Sequence, residues 1–536
     1  MDNLTTILHD TFGYESFRPL QKEVIEQFIS GRDCFVSMAT GGGKSMCYVI
    51  PALATQKLVI VISPLISLMY DQVTKLQAAG VSVAMLSSGG STPPDPVTGH
   101  SVLDRALNGE LRLLYITPEK LDKWGQTLQM LCSNGVVLGV AIDEAHSISQ
   151  WGHDFRPSYR RLSTIKELVN VPVMALTATA TVEVQTDIIQ SLAFNDAYIA
   201  KSTFDRKNLA LICDKKRSGA AGISIIPSLI GKYAPNGECC IVYARTVKMT
   251  QTISKLLKQK GFRCGTYNAK MKPEDKTETH THFCNGTINI IVATVAYGMG
   301  IDHSSIRLII HFGVPGSIES YYQEAGRAGR DGFPATCILL WSEQDFVLAH
   351  YFLKDLEDIP LQIGQANLKF MQRYCYLPQR MCRRQAILAR FGETYDPYRN
   401  GNGHNNNANG CGMCDHCGVD TRAFDVARAQ IAALPVATFT APTVVAPTTN
   451  NDTDVLTVDQ QTAILRDVLM ALRQSIARDN QISEDTICSD VSLLQMAETP
   501  PRSLDDFKHF DGWDANHKID VFGDMFLEYC LERNNS

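Results

Sequence analysis

Four groups of residues in this chain have types and spacings that suit chemistry. The first is Thr40-Gly41-Gly42-Gly43-Lys44-Ser45, which follows a short apolar stretch and precedes a helical pattern. Glycines let backbone N–H groups wrap phosphate oxygens, and the helix N-terminus adds positive potential. Lys44 would reach the outer phosphates of a nucleotide, and the Ser45 hydroxyl would ligate Mg²⁺. The strict pattern asks for a glycine where Met38 stands, so this is a shorter form of the loop. The second group is Asp143-Glu144, closing a continuous apolar run that begins at Val136. Such runs mark strands buried on both faces. Open α/β sheets bind ligands at the carboxyl ends of their strands. There Asp143 could hold Mg²⁺ and Glu144 could orient an attacking water. The acidic pair alone would equally fit an ordinary polar loop, and the other groups decide against that. The third is Arg327 and Arg330, three apart in a helical pattern and thus near one face. Two guanidinium forks there suit the γ-phosphate of a nucleotide bound by a neighbouring domain; surface salt bridges are the alternative. The fourth is Cys411, Cys414 and Cys417. Three thiolates at this spacing, with a distant fourth ligand, make a closed structural Zn²⁺ site. Cys375, Cys382, His404 and His416 compete for that fourth place.

Two further stretches lie around these. After the acidic pair come His146, Trp151, His153, Phe155 and Arg156 within a dozen residues. Their composition suits stacking on bases and gripping phosphates. Near the start, Phe12, Tyr14 and Phe17 can pack around a flat ring, while Arg18 and Gln21 can hydrogen-bond its edge. The pairs Ser63-Pro64 and Thr117-Pro118 each end an apolar run and start a helical pattern, where hydroxyls cap helices or hold phosphodiesters.

The elements that must position these residues read as strand–loop–helix units. Apolar runs at 58–62, 113–116, 136–142 and 171–176 join the one before Thr40, giving about five units by residue 200 and a doubly wound parallel sheet. Residues near 205–236 read as a connection into a second α/β unit, with strands at 239–243, 288–293 and 308–312. A basic helical region follows, then an Asn/Gly-rich insert, the cysteines, and a Pro/Thr-rich linker. The tail has helical apolar spacing throughout.

Bulk properties bound the rest. The chain has 536 residues, of which 45% are apolar and 20% charged, an ordinary globular composition with room for three or four domains. No run of about 18 uncharged apolar residues occurs, so no membrane span is expected. The N-terminus lacks the charged-then-apolar pattern of an export signal. Sixteen cysteines with a single tight cluster then imply a reducing interior. The net charge is −6, and residues 459–533 carry fifteen Asp/Glu against seven Lys/Arg. The tail is therefore acidic at −8, which opposes phosphate binding and favours a protein contact or an intramolecular role. The remainder is near neutral and leaves room for a local basic groove.

The segments GGGKS, DEAHSISQWGHDFRPSY, ALTATAT, VATVAYGMGID and QEAGRAGRDG occur in order over about 300 residues. Together they resemble the RecQ family of superfamily 2 DNA helicases, the Werner/Bloom-type helicase core, over residues 12 to about 418. The resemblance implies an α/β fold of two tandem RecA-like domains, with a helical zinc-binding subdomain and a small all-α C-terminal domain of the HRDC type. The implied boundaries are 1–200 and 201–350 for the RecA-like domains, 351–420 for the zinc subdomain, 421–458 for the linker and 459–533 for the last domain. It implies ATP, Mg²⁺ and Zn²⁺ as cofactors, and 3′→5′ unwinding of DNA, single-stranded or 3′-tailed. Phe17, Arg18 and Gln21 would read adenine. Thr40 to Ser45 would hold the phosphates, with Lys44, Asp143 and Glu144 acting on phosphate, metal and water. Arg330 would be the arginine finger, with Arg327 beside it. His146 and residues 149–156 would couple DNA contact to hydrolysis, through Trp151, His153, Phe155 and Arg156. Cys382, in its CRRQ context, would be the fourth zinc ligand. Two positions depart from the family pattern, Tyr243-Ala244-Arg245-Thr246-Val247 and Gly300-Ile301-Asp302-His303, and predict altered strand affinity. Forty linker-like residues are too few for the winged-helix domain that usually follows the zinc module. That shortfall keeps open a DNA-stimulated translocase or scaffold with little unwinding, and the acid box alone keeps open an RNA helicase. The expected location is the nucleus, otherwise the cytosol or nucleoid.

Overall fold

The computed structural model describes residues 3–87, 90–92, 99–152, 154–217, 219–298, 303–354, 356–398 and 410–419, and short stretches beyond, chiefly 488–499 and 503–510. The linker, the Asn/Gly-rich insert and most of the C-terminal region lie outside these residues. The chain divides into two compact units. One comprises Met1–Lys215, Ser224–Trp341 and Gln362–Leu434; the other comprises Lys216–Ile223, Ser342–Leu361 and Pro435–Ser536.

The first unit holds two eight-stranded sheets. In chain order the strands of one are β1 (Cys34–Ser37), β2 (Leu58–Ile62), β3 (Val83–Ser87), β4 (Gly90–Ser91), β5 (Leu113–Ile116), β6 (Val137–Ile142), β7 (Val173–Thr177) and β8 (Tyr198–Lys201). They lie in the order β4-β3-β5-β2-β6-β7-β1-β8, all parallel except β4. The strands of the other are β9 (Leu209–Lys215), β10 (Cys239–Ala244), β11 (Cys264–Tyr267), β12 (Ile290–Ala293), β13 (Ile306–Phe312), β14 (Ala335–Trp341), β15 (Met413–Cys414) and β16 (Gly418–Val419). Their order is β11-β12-β10-β13-β14-β9-β15-β16, and only β15 with β16 is antiparallel.

Alternation of side chains explains the burial of the first sheet. Leu58, Ile60 and Ile62 of β2 join one core with Val140 and Ile142, whereas Val59 and Val61 join a second core with Val36, Tyr48 and Leu176. Helices therefore cover both faces, and the central strands read as unbroken apolar runs. Burying each such Val, Leu or Ile side chain contributes roughly 1.5–3 kcal/mol. Polar work is thereby confined to the strand ends, where the loops of interest emerge.

The sequence pattern finds the central strands within one or two residues but passes over β3, β8, β9, β11 and β14. One correction concerns architecture. Residues 205–236, read above as a connection, contain β9, which pairs along its whole length with β14. β15 then pairs with β9 at Cys414 opposite Leu211, so the cysteine-bearing segment extends the second sheet at its edge.

In the other unit, the helix Glu343–Tyr351 starts with a reciprocal Ser342–Asp345 capping box, and Lys216 Nζ lies 2.9 Å from Asp345 Oδ1. The helix Asp490–Glu498 is capped by Ser489. Among the described residues no helix is long and apolar enough to cross a membrane.

Candidate active site

The loop after β1 turns tightly into the helix Met46–Thr55. Gly42 N–H donates to Ala39 O at 2.9 Å, and Met46 N–H to Gly43 O at 3.1 Å. Lys44 Nζ donates to Met38 O at 3.3 Å, while the Met38 side chain is buried in the core. Met38 thus serves through its carbonyl and its packing, which explains why this loop form dispenses with glycine there. Gly43 has φ +79°, and a Cβ on it would come within 2.5 Å of Gln21 Nε2. Gln21 donates to Gly43 O at 2.8 Å and accepts from Arg18 N–H at 2.8 Å. Arg18 Nη1 donates to Gly41 O. The two polar residues near the N-terminus therefore grip the phosphate loop itself.

A cleft of about 450 Å³ collects Arg18, Gln21, Thr40, Gly41, Gly43, Lys44, Ser45, Asp143 and Glu144 from the first sheet's side, and Gln323, Arg327 and Arg330 from the second's. Phe12 and Tyr14 line it, whereas Phe17 packs against the small core of Leu8, Ile25 and Ile50. Phe12 also packs against that same core, and of the three aromatics expected around the ring, Phe12 and Tyr14 line the cleft while Phe17 is not among its lining residues. Gly42 shapes the turn without lining the cleft.

The electrostatics of the cleft follow from burial. Burial and the neighbouring charge of Glu144 push the Asp143 carboxyl up to about 7, against the opposing pull of Lys44. Burial lowers the pKa of Lys44, opposed by Glu144 and Asp143. These are partly buried groups held beside one another along the cleft, as a metal–phosphate site requires. The backbone of Asp143 is fixed from behind by buried Tyr159, whose hydroxyl donates to Asp143 O at 3.0 Å. Glu144 has φ +49°, a left-handed conformation that costs a non-glycine residue roughly 1–3 kcal/mol and is concentrated at functional sites.

His146 is fully buried. Its Nδ1 lies 3.3 Å from Glu144 Oε2 and 3.1 Å from Thr177 Oγ1 at the end of β7. Gly152 packs on the same residue, since a Cβ there would sit 2.2 Å from His146 O. Trp151 beside it is 55% exposed and Phe155 is half-buried. Trp151 N–H donates to Ser149 Oγ, which donates to Asp187. Arg156 differs from the free phosphate-gripping fork expected: it donates to Asp154 Oδ2 and to Pro64 O at 2.9 Å, stapling two strand-end loops together. His153 and Asp302 lie outside the described residues.

The two arginines diverge. Arg327 is buried and donates to Gly298 O at 2.5 Å, within its own lobe. Arg330 lies across the phosphate loop: a Cβ on Gly41 would be 3.3 Å from Arg330 Cγ. Buried Glu324, on the preceding helix Ile318–Ala325, is held by His311 Nε2 at 2.8 Å. Sequence reasoning missed Arg206, which bonds the phosphate loop, and Tyr159. Arg206 belongs to none of the motifs and Tyr159 only closes the DEAH segment, and most of their partners are main-chain carbonyls.

The thiols of Cys382, Cys411, Cys414 and Cys417 lie within 4.8 Å of one another, and three of the four residues are buried. Tetrahedral Zn²⁺ with bonds of about 2.3 Å fits such a group. His416 is engaged elsewhere, with Met381 O at 2.8 Å and Arg383 Nη2 at 2.7 Å. Cys375 is not part of the group, and His404 lies outside the described residues.

Four family models match in succession: DEAD/DEAH box helicase over 18–188, helicase conserved C-terminal domain over 222–332, RecQ zinc-binding over 343–418, and HRDC domain over 463–530. The ATP-dependent DNA helicase Q1 of Rattus norvegicus is 38% identical over 422 residues, covering 77% of this chain and 64% of that protein. The ATP-dependent DNA helicase RecQ of Haemophilus influenzae is 37% identical over 422 residues, covering 78% of this chain and 64% of its own length. The chain thus spans just under two thirds of each. Among solved structures, S. cerevisiae Dbp5 bound to RNA and ADP BeF3 superimposes with a TM-score of 0.51 at 14% identity, over 70% of this chain and 92% of Dbp5, a likeness of fold. With its tandem parallel sheets, its four-thiol group and this succession of models, the chain belongs to the RecQ family.

Proposed function

We propose that the chain is an ATP-dependent DNA helicase of RecQ type that moves 3′→5′ along a strand. The observation that carries this reading is the cleft in which Lys44, Ser45, Asp143 and Glu144 face Arg330 from the other sheet. In the proposed roles the phosphate loop and Lys44 cradle the triphosphate. Ser45 and Asp143 would hold Mg²⁺, which neutralises charge on the phosphates when bound. Glu144 orients the attacking water, and His146 keeps that carboxylate in place. Arg330 meets charge developing on the γ-phosphate, while Arg327 braces the loop at Gly298. Arg18 and Gln21, with Phe12 and Tyr14, receive the base. Exposed Trp151 contacts the strand, and Gly152 passes its displacement to His146.

In domain terms we propose one RecA-like lobe through residue 201, a second from residue 209 to about 350, a zinc module to about 420, a linker to 458 and an HRDC-type domain after it. The substrate would be single-stranded or 3′-tailed duplex DNA, met in nucleus or nucleoid. The acidic C-terminal domain would serve a protein contact. The names of the relatives and the order of the family models support this reading.

The test compares ATP turnover with 3′-tailed DNA and with RNA of equal sequence, and follows displacement of the paired strand. Preferential stimulation by DNA with displacement is expected, and Lys44→Ala should lower turnover by about 10³-fold. Stimulation by RNA alone would make the chain an RNA helicase. Turnover without displacement would make it a translocase or scaffold.

A further inference from the structure

The segment joining the two sheets, residues 202–208, is held in an unusual way. Arg206 donates from Nη1 to Thr40 O at 2.9 Å and to Gly326 O at 3.0 Å, and reaches Thr40 Oγ1 at 3.3 Å. Its Nη2 donates to Ala328 O at 2.8 Å and Gly329 O at 3.0 Å. These bonds end on carbonyl or hydroxyl oxygens and not on a carboxylate. Burial lowers the pKa of this guanidinium. A cation set among carbonyl dipoles is a costly arrangement unless each donor is placed. Two residues on, Asn208 Nδ2 donates to Gly329 O and to Phe333 O, each at 2.8 Å. Both residues thus grip the turn between Arg327 and Arg330. Arg206 alone grips the phosphate loop as well. The segment itself is fixed on its other side, since Arg384 donates to Arg206 O at 2.8 Å and Tyr322 to Phe204 O at 2.7 Å.

We propose that Arg206, supported by Asn208, is a positioning residue for ATP hydrolysis: its planar fork sets the spacing between the phosphate loop at Thr40 and the arginine turn at 326–329, and so places Arg330. This rests on the helicase reading above, because the placement matters only if Arg330 acts on the γ-phosphate. The fork is the essential property. A lysine keeps the charge but cannot bind four carbonyls in one plane. An interaction realised in the transition state should appear in kcat and not in KM.

Steady-state ATP turnover of the full chain with a 3′-tailed DNA tests it. Arg206→Lys should lower kcat by about 100-fold, the cost of a displacement near 1 Å, with KM for ATP changed less than about threefold. Arg206→Lys combined with Arg330→Ala should be no slower than Arg330→Ala alone, because both remove one device. Asn208→Ala should lower kcat in the same direction but less. Thermal melting and zinc content report folding. Unchanged kcat in either folded variant would overturn the proposal, as would fully additive losses in the double variant. Unfolding of both single variants would make the pair a structural staple and overturn it too. No DNA-stimulated turnover by the wild-type chain would sink the helicase reading and this proposal together. Normal wild-type turnover with an active Arg206→Lys would sink this proposal alone.

Discussion

Asp143 carries an energetic conflict that its chemistry explains. Burial and the neighbouring charge of Glu144 push its carboxyl up to about 7 from an ordinary value near 4, so the folded state binds more protons between those values. Folding stability from this group is greatest at acid pH and falls as pH rises from about 4 to about 7, then levels. The full cost is on the order of a few kcal/mol. Mg²⁺ bound there would offset it. In metal-free buffer, Asp143→Asn should therefore raise Tm relative to wild type by an increment that grows up to about pH 7 and is flat above. Excess Mg²⁺-nucleotide should shrink that increment. Apparent Mg²⁺ affinity in turnover should weaken up to about tenfold per pH unit below 7, since the metal displaces one proton. A pH-independent Tm difference would refute the assignment. Residues of this kind are legible in sequence because each sits in a local pattern: Lys44 after glycines, Asp143 after an apolar run. Which of Phe12, Tyr14 and Phe17 line the cleft was not legible, because tertiary packing around Leu8 and Ile25 places them and no local pattern announces it. Arg206 was invisible because most of its partners are carbonyls, which every residue has.

Two elements convert these residues into a device. One is the turn from His146 to Gly152. No Cβ fits at Gly152 without moving the carbonyl of His146. Gly152→Ala should then tilt His146 away from Glu144 and Thr177. DNA stimulation should fall at least about tenfold while nucleotide affinity, set at the phosphate loop, stays within about threefold. Fluorescent ATP-analogue binding beside turnover measures the split, and equal losses in both would contradict it. The other element is the cysteine-bearing pair β15–β16, lying on β9. Arg383 there binds Asp415 and Tyr374 O, and Asp415 accepts from Cys213 N–H at 3.2 Å. Metal removal should free β15 and leave β9 as an open edge, the kind that invites aggregation. Hydrogen exchange should rise first in residues 209–215 and 411–419 after chelation, before it rises in β2 or β6. Uniform exchange across both sheets would disprove this local role. Sequence pattern found β2, β5 and β6 because both their faces are buried. β9 escaped because its last residues are exposed, and β11 because it is four residues long, includes Gly265 and is only partly buried.

At the scale of the whole chain, charge poses the question. On the proposed helicase reading, a protein at −6, with residues 459–533 contributing −8, would hold a polyanion through a limited patch. Each phosphate neutralised on a single strand adds about 0.7 to the slope of log affinity against log salt. Without that tail the body balances 43 basic against 41 acidic residues, so any basic groove on it is local. Among the described residues several arginines are already committed: Arg156 to Asp154, Arg160 to Asp187, Arg161 to Asp122 and Arg307 to Asp331. On that reading stacking would share the affinity with phosphate contacts, and exposed Trp151 is the prominent candidate at the mouth of the coupling turn. Base–aromatic stacking is worth about 1–3 kcal/mol per base and releases no counterions. Binding of a single-stranded 3′ tail, measured between low and physiological salt, should have a slope no steeper than about −4, corresponding to five or six phosphates. Trp151→Ala should weaken binding about tenfold at every salt concentration and leave that slope unchanged, while Lys44→Ala should alter neither. A slope near −10 would reveal a basic groove that the charge balance conceals. A slope altered by Trp151→Ala would mean the tryptophan positions cations and does not itself hold a base. Either result would relocate DNA contact from the aromatic turn to the loops after β2 and β5, whose Ser-Pro and Thr-Pro starts offer hydroxyls and helix N-termini to phosphate.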